Sequence, residues 1–200
     1  MIPFLETLLA LPFLAALAMV FLRGRSRGQV AWVAASAPLL GLALLAWMTP
    51  AVLQGWVPDA HHAWIPQIGL DFDLRLDGLA WMFAGLVLAI GALVVMYAHY
   101  YLSSEDSAPR FFGCLLLFMG SMLGVVIAGN LLLLMVFWEL TSISSFLLIG
   151  FWYKRQDARE GARMALAITG GGGLALMGGI LLIGRIVGSY DLDTVLASGD

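Results

Sequence analysis

The chain has 200 residues, of which 62% are hydrophobic and only 12% are charged, and its mean hydropathy is +0.94. Water-soluble domains usually carry about 25% charged residues, so this composition excludes a soluble globular protein and indicates that the bilayer is the solvent. The net charge of −3 excludes the strongly basic balance that is typical of nucleic-acid binding.

Six apolar segments are each long enough to cross a bilayer, which takes about 20 helical residues. In chain order the predicted spans are Ile2 to Leu22, Val30 to Pro50, Leu79 to Leu102, Phe111 to Ala128, Leu131 to Trp152 and Met164 to Val187. We therefore predict an all-α, polytopic membrane protein with about six transmembrane helices.

Basic residues predict the orientation of the chain. No basic residue precedes the first span, and Arg23, Arg25 and Arg27 follow it, so the segment is predicted to be a retained helix with its N-terminus outside rather than a signal peptide. The inner side then holds eight basic residues: Arg23, Arg25, Arg27, Arg110, Lys154, Arg155, Arg159 and Arg163. The outer side holds only Arg75 and Arg185, which agrees with the positive-inside rule.

The connections between spans carry their own signals. The external segment Gln54 to Asp77 contains the alternating stretch Asp71 to Asp77, which predicts one arm of a short β-hairpin between the second and third spans. Asp77 is a predicted N-cap of the third helix, and Ser107 supplies a predicted capping hydroxyl before the fourth. Only Gly129 and Asn130 interrupt the fourth and fifth spans, which predicts a tight antiparallel pair.

Glu139 is unusual because it is an acidic residue inside a predicted transmembrane helix. It lies about nine residues into the fifth span, or roughly 12–14 Å from the outer end of the helix. An ionised carboxylate at that depth costs at least about 2.5 kcal/mol, so it must take a proton or face water or a cation. We predict a proton carrier; the alternative is a permanently neutral Glu that is hydrogen-bonded to another helix.

Two further residues are candidates for a part in the site, and two other features are better explained by helix packing. Ser142 shares the helical face of Glu139 and is predicted to hydrate a proton path, and His99, near the inner end of the third span, is a weaker candidate for proton entry. The hydroxyls of Thr141, Ser144 and Ser145 are expected mainly to pack. The run Gly170 to Gly173 lies inside an apolar helix without a following Lys-Ser/Thr, so it indicates close helix packing or a weak helix rather than a nucleotide loop.

The sequence resembles the A subunits of the Mrp-type multisubunit monovalent cation/proton antiporters from about Trp64 to Gly184. The stretches that carry the resemblance are Trp64 to Gly69, Leu76 to Leu79, Phe118 to Val126 and Phe137 to Arg155. The antiporter-like membrane subunits of respiratory complex I belong to the same superfamily.

The resemblance implies that Glu139 handles the proton together with a Lys on a later helix, which would lie beyond Asp200. It also implies exchange of Na⁺, with K⁺ and Li⁺ as alternatives, for H⁺ by a hetero-oligomer of membrane subunits in the bacterial cytoplasmic membrane. The family is not enzymatic and uses no redox cofactor or metal, and three histidines and one cysteine would not make a haem or iron–sulfur site.

A proton-pumping subunit of an NADH:quinone oxidoreductase is the alternative function. The largest such complex I subunit typically has an Arg and an Asp after the Thr of the sixth span, whereas Thr169 here is followed by Gly170 to Gly173, which favours the antiporter. We expect residues 1–78 to form a helix pair with its external loop, and residues 79–200 to begin the proton-translocating domain of a truncated chain.

Overall fold

The computed structural model describes residues 4–103 and 105–199, most of which are helical. In chain order the elements are α1 (Phe4–Phe21), α2 (Arg27–Leu53), β1 (Asp59–Ile65), β2 (Leu70–Arg75), α3 (Gly78–Tyr101), α4 (Ala108–Ile127), α5 (Leu131–Ile149), α6 (Gln156–Val187) and α7 (Leu192–Ala197). Helices α1 to α6 are long and apolar enough to cross a membrane, so the chain is a multi-pass membrane protein. The predicted start of the first span, Ile2, lies outside the described residues.

The predicted hairpin between the second and third spans is confirmed. Strands β1 and β2 pair antiparallel, with Asp59 opposite Arg75 and His62 opposite Phe72, and a short 3₁₀ turn joins them. The inner-facing positions Leu70 and Leu74 of β2 are buried, as its alternating polar and apolar residues predict.

Two predicted N-caps can be compared with the hydrogen bonds at the starts of α3 and α4. The Asp77 carboxylate accepts a hydrogen bond from the Ala80 amide at 2.8 Å, which confirms the predicted cap of α3. The predicted hydroxyl cap of α4 is wrong, because Ser107 precedes the helix without a capping hydrogen bond. Pro109 in the first turn has no N–H, so it removes one of the donors that such a cap would satisfy.

Helix α6 begins about two turns before its predicted apolar span. The predicted span begins at Met164, after the basic residues that were assigned to the inner side, but the helix starts at Gln156. A hydrogen bond of 2.7 Å from Gln156 to Glu160, one turn apart, and the acidic Asp157 near the positive helix end both stabilise this polar first segment. Hydropathy therefore marks the part inside the membrane rather than the whole helix.

The loops gather at two opposite ends of the bundle. At one end, which we call the hairpin end, the amide of Gly129 between α4 and α5 donates to the carbonyl of Asp73 in β2 at 2.8 Å. At the other, the basic end, the Arg27 guanidinium donates to the carbonyl of Leu102, which joins the α1–α2 and α3–α4 connections. Which end faces the cytoplasm stays a prediction from the basic residues.

Helix α4 is the centre of the packing, since it contacts α1, α2, α3 and α5. Its buried side chains include Phe112, Leu116 and Leu123, all of which are fully enclosed. In contrast, α6 packs on α5, and only 11% of its apolar 18-residue stretch is buried among the described residues. The core therefore lies in α1 to α4, and α5 connects it to a largely exposed α6.

Candidate functional site

Glu139 lies in the middle of α5, nine residues after the N-cap Asn130 and hence about 13 Å from the hairpin end of the helix. The other acidic residues of the described spans lie near helix starts: Glu6 in the first turn of α1, and Asp157 and Glu160 in the first two turns of α6. Within the described residues, Glu139 is therefore the only acidic side chain at the middle of a span.

The position of α5 along the bundle axis is set by its cap. The side-chain oxygen of Asn130 accepts hydrogen bonds from the amides of Leu132 at 2.9 Å and Leu133 at 3.2 Å, while its amide nitrogen donates to the carbonyl of Gly69 at 3.0 Å. Asn130 is only 2% exposed, so these bonds are shielded from solvent. One side chain thus starts α5 and attaches it to the turn of the hairpin.

Helix α6 packs antiparallel on α5 with a clear register. Glu139 faces Gly173, whose position for a Cβ atom would lie 3.1 Å from the Glu139 carboxyl carbon. Eleven residues further on, Gly150 at the C-terminal end of α5 faces Ala162, since a Cβ on Gly150 would lie 3.5 Å from Cβ of Ala162. Eleven residues make about three helical turns, so both contacts belong to the same interface stripe.

The Glu139 carboxylate is half-buried at this interface and has no hydrogen-bond partner among residues 4–103 and 105–199. A carboxylate in such a place is held neutral by a proton or is stabilised as an anion by water or a cation.

Ser142, the predicted neighbour of Glu139, is 5% exposed and lies one turn further along α5. Its hydroxyl donates to the carbonyl of Trp138 at 3.4 Å, within its own helix. Thr141 and Ser144 donate to α5 carbonyls in the same way, at 2.6 Å and 2.7 Å, as is common for hydroxyls in membrane helices. Hydration by Ser142 stays a prediction.

His99 is not brought together with Glu139. It lies in the last turn of α3, which packs on α2 and α4, whereas Glu139 on α5 faces α6. Its ring lines a groove of about 600 Å³ between α2 and α3 that is otherwise mostly apolar, with Trp32 and Tyr100 at its sides. Nδ1 of His99 is buried without a partner among the described residues.

Several of the charges at the hairpin end form ion pairs. Arg75 lies 3.6 Å from Asp77 and also contacts Asp193, which follows α6, and His61 contacts Asp73 across the hairpin. Burial raises the pKa of Asp73 despite the opposing effect of His61. No group of three or more His, Cys, Asp or Glu that could hold a metal ion occurs within the described ranges.

Gly173 is the site residue that sequence reasoning missed. The sequence pattern treats the four consecutive glycines alike, but a Cβ on Gly170, Gly171 or Gly172 would meet no atom within 4 Å. A signal was present in the spacing, because Ala162, Gly173 and Gly184 are small residues at intervals of eleven and all three are buried. Eleven residues make about three turns, so such a repeat lies along one face of the helix, although Gly184 on this face meets Tyr190 rather than α5.

Two known families match the chain. Residues 64–112 match the family described as NADH-Ubiquinone oxidoreductase (complex I), chain 5 N-terminus. Residues 128–198, which include α5 and α6, match the family described as NADH:quinone oxidoreductase/Mrp antiporter, TM.

Curated relatives carry antiporter names. The chain is 53% identical over 196 residues to a probable K(+)/H(+) antiporter A/B subunit of Rhizobium meliloti (strain 1021), covering 98% of this chain and 20% of that protein. It is 41% identical over 187 residues to the Na(+)/H(+) antiporter A1 subunit of Staphylococcus aureus, covering 93% of this chain and 23% of the relative. The chain thus spans about a fifth of the length of the relatives that it matches.

Solved structures agree in fold. The Mrp complex from Dietzia sp. DQ12-45-1b contains a chain with a TM-score of 0.84 and 31% identity, matched over 96% of this chain and 20% of that one. The membrane-bound sulfane sulfur reductase, an archaeal respiratory membrane complex, matches 95% of this chain and 29% of its own with a TM-score of 0.78 and 19% identity, which shows the fold alone. The chain is thus similar to the A subunits of Mrp-type antiporters, which are related to the antiporter-like membrane subunits of complex I.

Proposed function

We propose that this chain is part of a subunit that exchanges a monovalent cation for protons across the bacterial cytoplasmic membrane, and that Glu139 carries the proton. The observation that supports the proposal most directly is the position of this carboxylate. It lies at the middle of a membrane span and has no hydrogen-bond partner within the described residues.

The proposed chemistry depends on the balance between the protonated and the ionised state of the Glu139 carboxyl group. Loss of hydration favours protonated Glu139, whereas water or a cation at the α5–α6 interface favours the anion. A change in that local environment during transport therefore changes the proton affinity of Glu139. Proton uptake from one side and release to the other require only that the two environments alternate.

Two further groups complete the proposed path. Ser142 is buried one turn from Glu139, and movement of its hydroxyl away from the Trp138 carbonyl would let it hydrogen-bond to water near the carboxylate. By resemblance to the family, a Lys on a later helix, beyond Asp200, would be the cationic partner of ionised Glu139. These roles are part of the proposal.

The transported cation is proposed to be Na⁺, with K⁺ and Li⁺ as alternatives. The Rhizobium and Staphylococcus relatives are named for different ions, K⁺ in the first and Na⁺ in the second. Other membrane subunits are proposed as partners because the matching structure with 31% identity is that of an Mrp complex. No redox cofactor is part of the proposed cycle.

A redox-driven proton pump is the competing function, since one matched family description names NADH:quinone oxidoreductase together with Mrp antiporters. Identity favours the antiporter, because antiporter-named relatives reach 53% and 41% whereas the archaeal respiratory complex reaches only 19%.

The decisive experiment replaces Glu139 with Gln in the complete complex. Cation-induced proton movement is then measured in inverted membrane vesicles with a pH-sensitive dye, with Na⁺, K⁺ and Li⁺ added separately. We expect Glu139→Gln to abolish exchange with every active cation, because the amide cannot take up and release the proton.

Glu6→Gln is the matched control. Glu6 is also a carboxylate on a membrane helix, but it lies at the helix start and contacts His62 at 3.0 Å. This variant should retain exchange. Wild-type exchange in Glu139→Gln would contradict the proposed function.

A further inference from the structure

The four consecutive glycines of α6, Gly170 to Gly173, differ in how closely other residues pack against them. Gly173 is buried and faces Glu139, whereas a Cβ on Gly170, Gly171 or Gly172 would meet no atom within 4 Å. Only one glycine of the four is therefore required by close contact within the described residues.

The atom that occupies the space of the missing side chain is an oxygen of the proposed proton carrier. A Cβ on Gly173 would overlap with Oε1 of Glu139 and would lie 3.1 Å from the carboxyl carbon of that residue. It would also lie 3.6 Å from Cε of Met135, which is an ordinary contact. A methyl group at position 173 would thus conflict with the carboxyl group and with little else.

The conflict would be relieved by movement of the carboxyl group rather than of the helices. The Glu139 carboxyl group is the end of a flexible side chain, and rotation about its χ angles removes it at small cost. Elsewhere on the stripe the two helices already pack closely, since a Cβ on Gly150 would lie 3.5 Å from Cβ of Ala162. Substitution at Gly173 should therefore preserve the fold and displace the carboxylate.

We propose that Gly173 is a positioning residue for Glu139: the absence of a side chain lets the carboxylate rest against α6. The inference rests on the proposed function of Glu139 and names the residue that sets its resting place. A displaced carboxylate meets different hydration and different helix dipoles, so its affinity for the proton changes.

The experiment compares Gly173→Ala with Gly172→Ala in the complete complex. Both substitutions make the same chemical change in the same helix and raise helix propensity equally, by about 1 kcal/mol. We expect both proteins to reach the membrane at the wild-type level. Gly172→Ala should keep the wild-type pH profile of exchange, whereas Gly173→Ala should shift its half-maximal pH by about 0.5 unit or more, a threefold change in apparent proton affinity.

Infrared difference spectroscopy provides a readout that does not depend on exchange. The carboxyl band that disappears in Glu139→Gln should shift in Gly173→Ala and stay in place in Gly172→Ala. An unshifted band together with an unshifted pH profile in Gly173→Ala would overturn the inference. If Glu139→Gln retained exchange, the proposed function would fail separately, and the band shift would still test the contact.

A second pair of variants covers the case in which Gly173→Ala lowers the amount of folded protein. Glu139→Ala removes the carboxyl group, so Gly173→Ala and Gly172→Ala should then be equally abundant in that background. If Gly173→Ala remained poorly folded without the carboxyl group, the conflict would lie elsewhere and the inference would be wrong.

Discussion

Helix α5 meets a glycine on each of two faces, and the two contacts differ in the side chain that fills the space. Toward α4, the ring of Phe137 packs on Gly124; toward α6, the carboxylate of Glu139 packs on Gly173. The first contact places a rigid, apolar ring in the core, where Phe137 is 8% exposed. The second places a flexible, titratable group against a helix that is largely exposed.

The difference separates a contact that stabilises the fold from one that leaves a group free to change state. A buried ring has no alternative place, so its glycine is required for packing. A carboxylate on a flexible side chain has several places, so its glycine selects among them. A glycine thus stabilises the fold on one face of α5, and on the other face, by our proposal, a second glycine sets the proton affinity of Glu139.

The largest loss of stability is expected for Gly124→Ala. An added Cβ would lie 2.6 Å from Cδ2 of Phe137 and closer still to two other ring atoms. Overpacking of this kind costs about 1–3 kcal/mol. The melting temperature of the purified protein in detergent, followed by tryptophan fluorescence, should fall well below the values of the wild type and of Gly173→Ala.

Gly113→Ala is the matched control on the same helix, because its nearest neighbour, Cβ of Met19, would lie at 3.6 Å. The additional substitution Phe137→Leu should restore part of the stability of Gly124→Ala by shrinking the ring. Equal melting temperatures for Gly124→Ala and Gly113→Ala would break the comparison between the two faces.

A smaller effect is expected for Asn130→Ala, which tests whether the hairpin end holds α5 in the position that both contacts need. The substitution removes the cap of α5 and the bond to the Gly69 carbonyl, so we expect a loss of about 1–2 kcal/mol. Hydrogen exchange should accelerate at the amides of Leu132 and Leu133. Asn130→Asp keeps the acceptor but loses the donor and should be intermediate; unchanged exchange in Asn130→Ala would show that α5 is anchored elsewhere.

The smallest effect is expected for Asp106→Asn at the basic end, where a carboxylate has the partners that Glu139 lacks. Partial burial would raise the pKa of Asp106, but hydrogen bonds from Ser103 and Trp152, with the nearby Arg27, lower it overall. A lowered pKa means that ionised Asp106 stabilises the fold above its usual titration range and that this contribution is lost as the pH falls through the lowered pKa.

Asp106→Asn should therefore melt slightly below the wild type at neutral pH, and the difference should vanish in acid. The measurement is the melting temperature as a function of pH. A difference that stays constant down to acid pH would show that the charge of Asp106 is not the cause.

Much of the fold follows from local patterns. The depth of Glu139, the six spans, the hairpin at Asp71 to Asp77 and the Asp77 cap all depend on residues near one another in the chain, and the structure agrees with them. The sequence did not predict the start of α6 at Gln156, because hydropathy identifies only the apolar part of a helix and the first residues of α6 are polar. The division at residue 78, the orientation and the role of Ser142 stay predictions.

The sequence by itself determined that a lone carboxylate lies deep in a membrane helix, because apolar length and hydropathy are properties of each segment alone. Only the tertiary structure decided that Gly173, among four adjacent glycines, faces Glu139, and that His99 lies on another part of the bundle. The reason is rotational: successive residues of a helix differ by about 100° in direction. Which glycine faces α5 therefore depends on how α6 packs, and that contact is made by residues far apart in the chain.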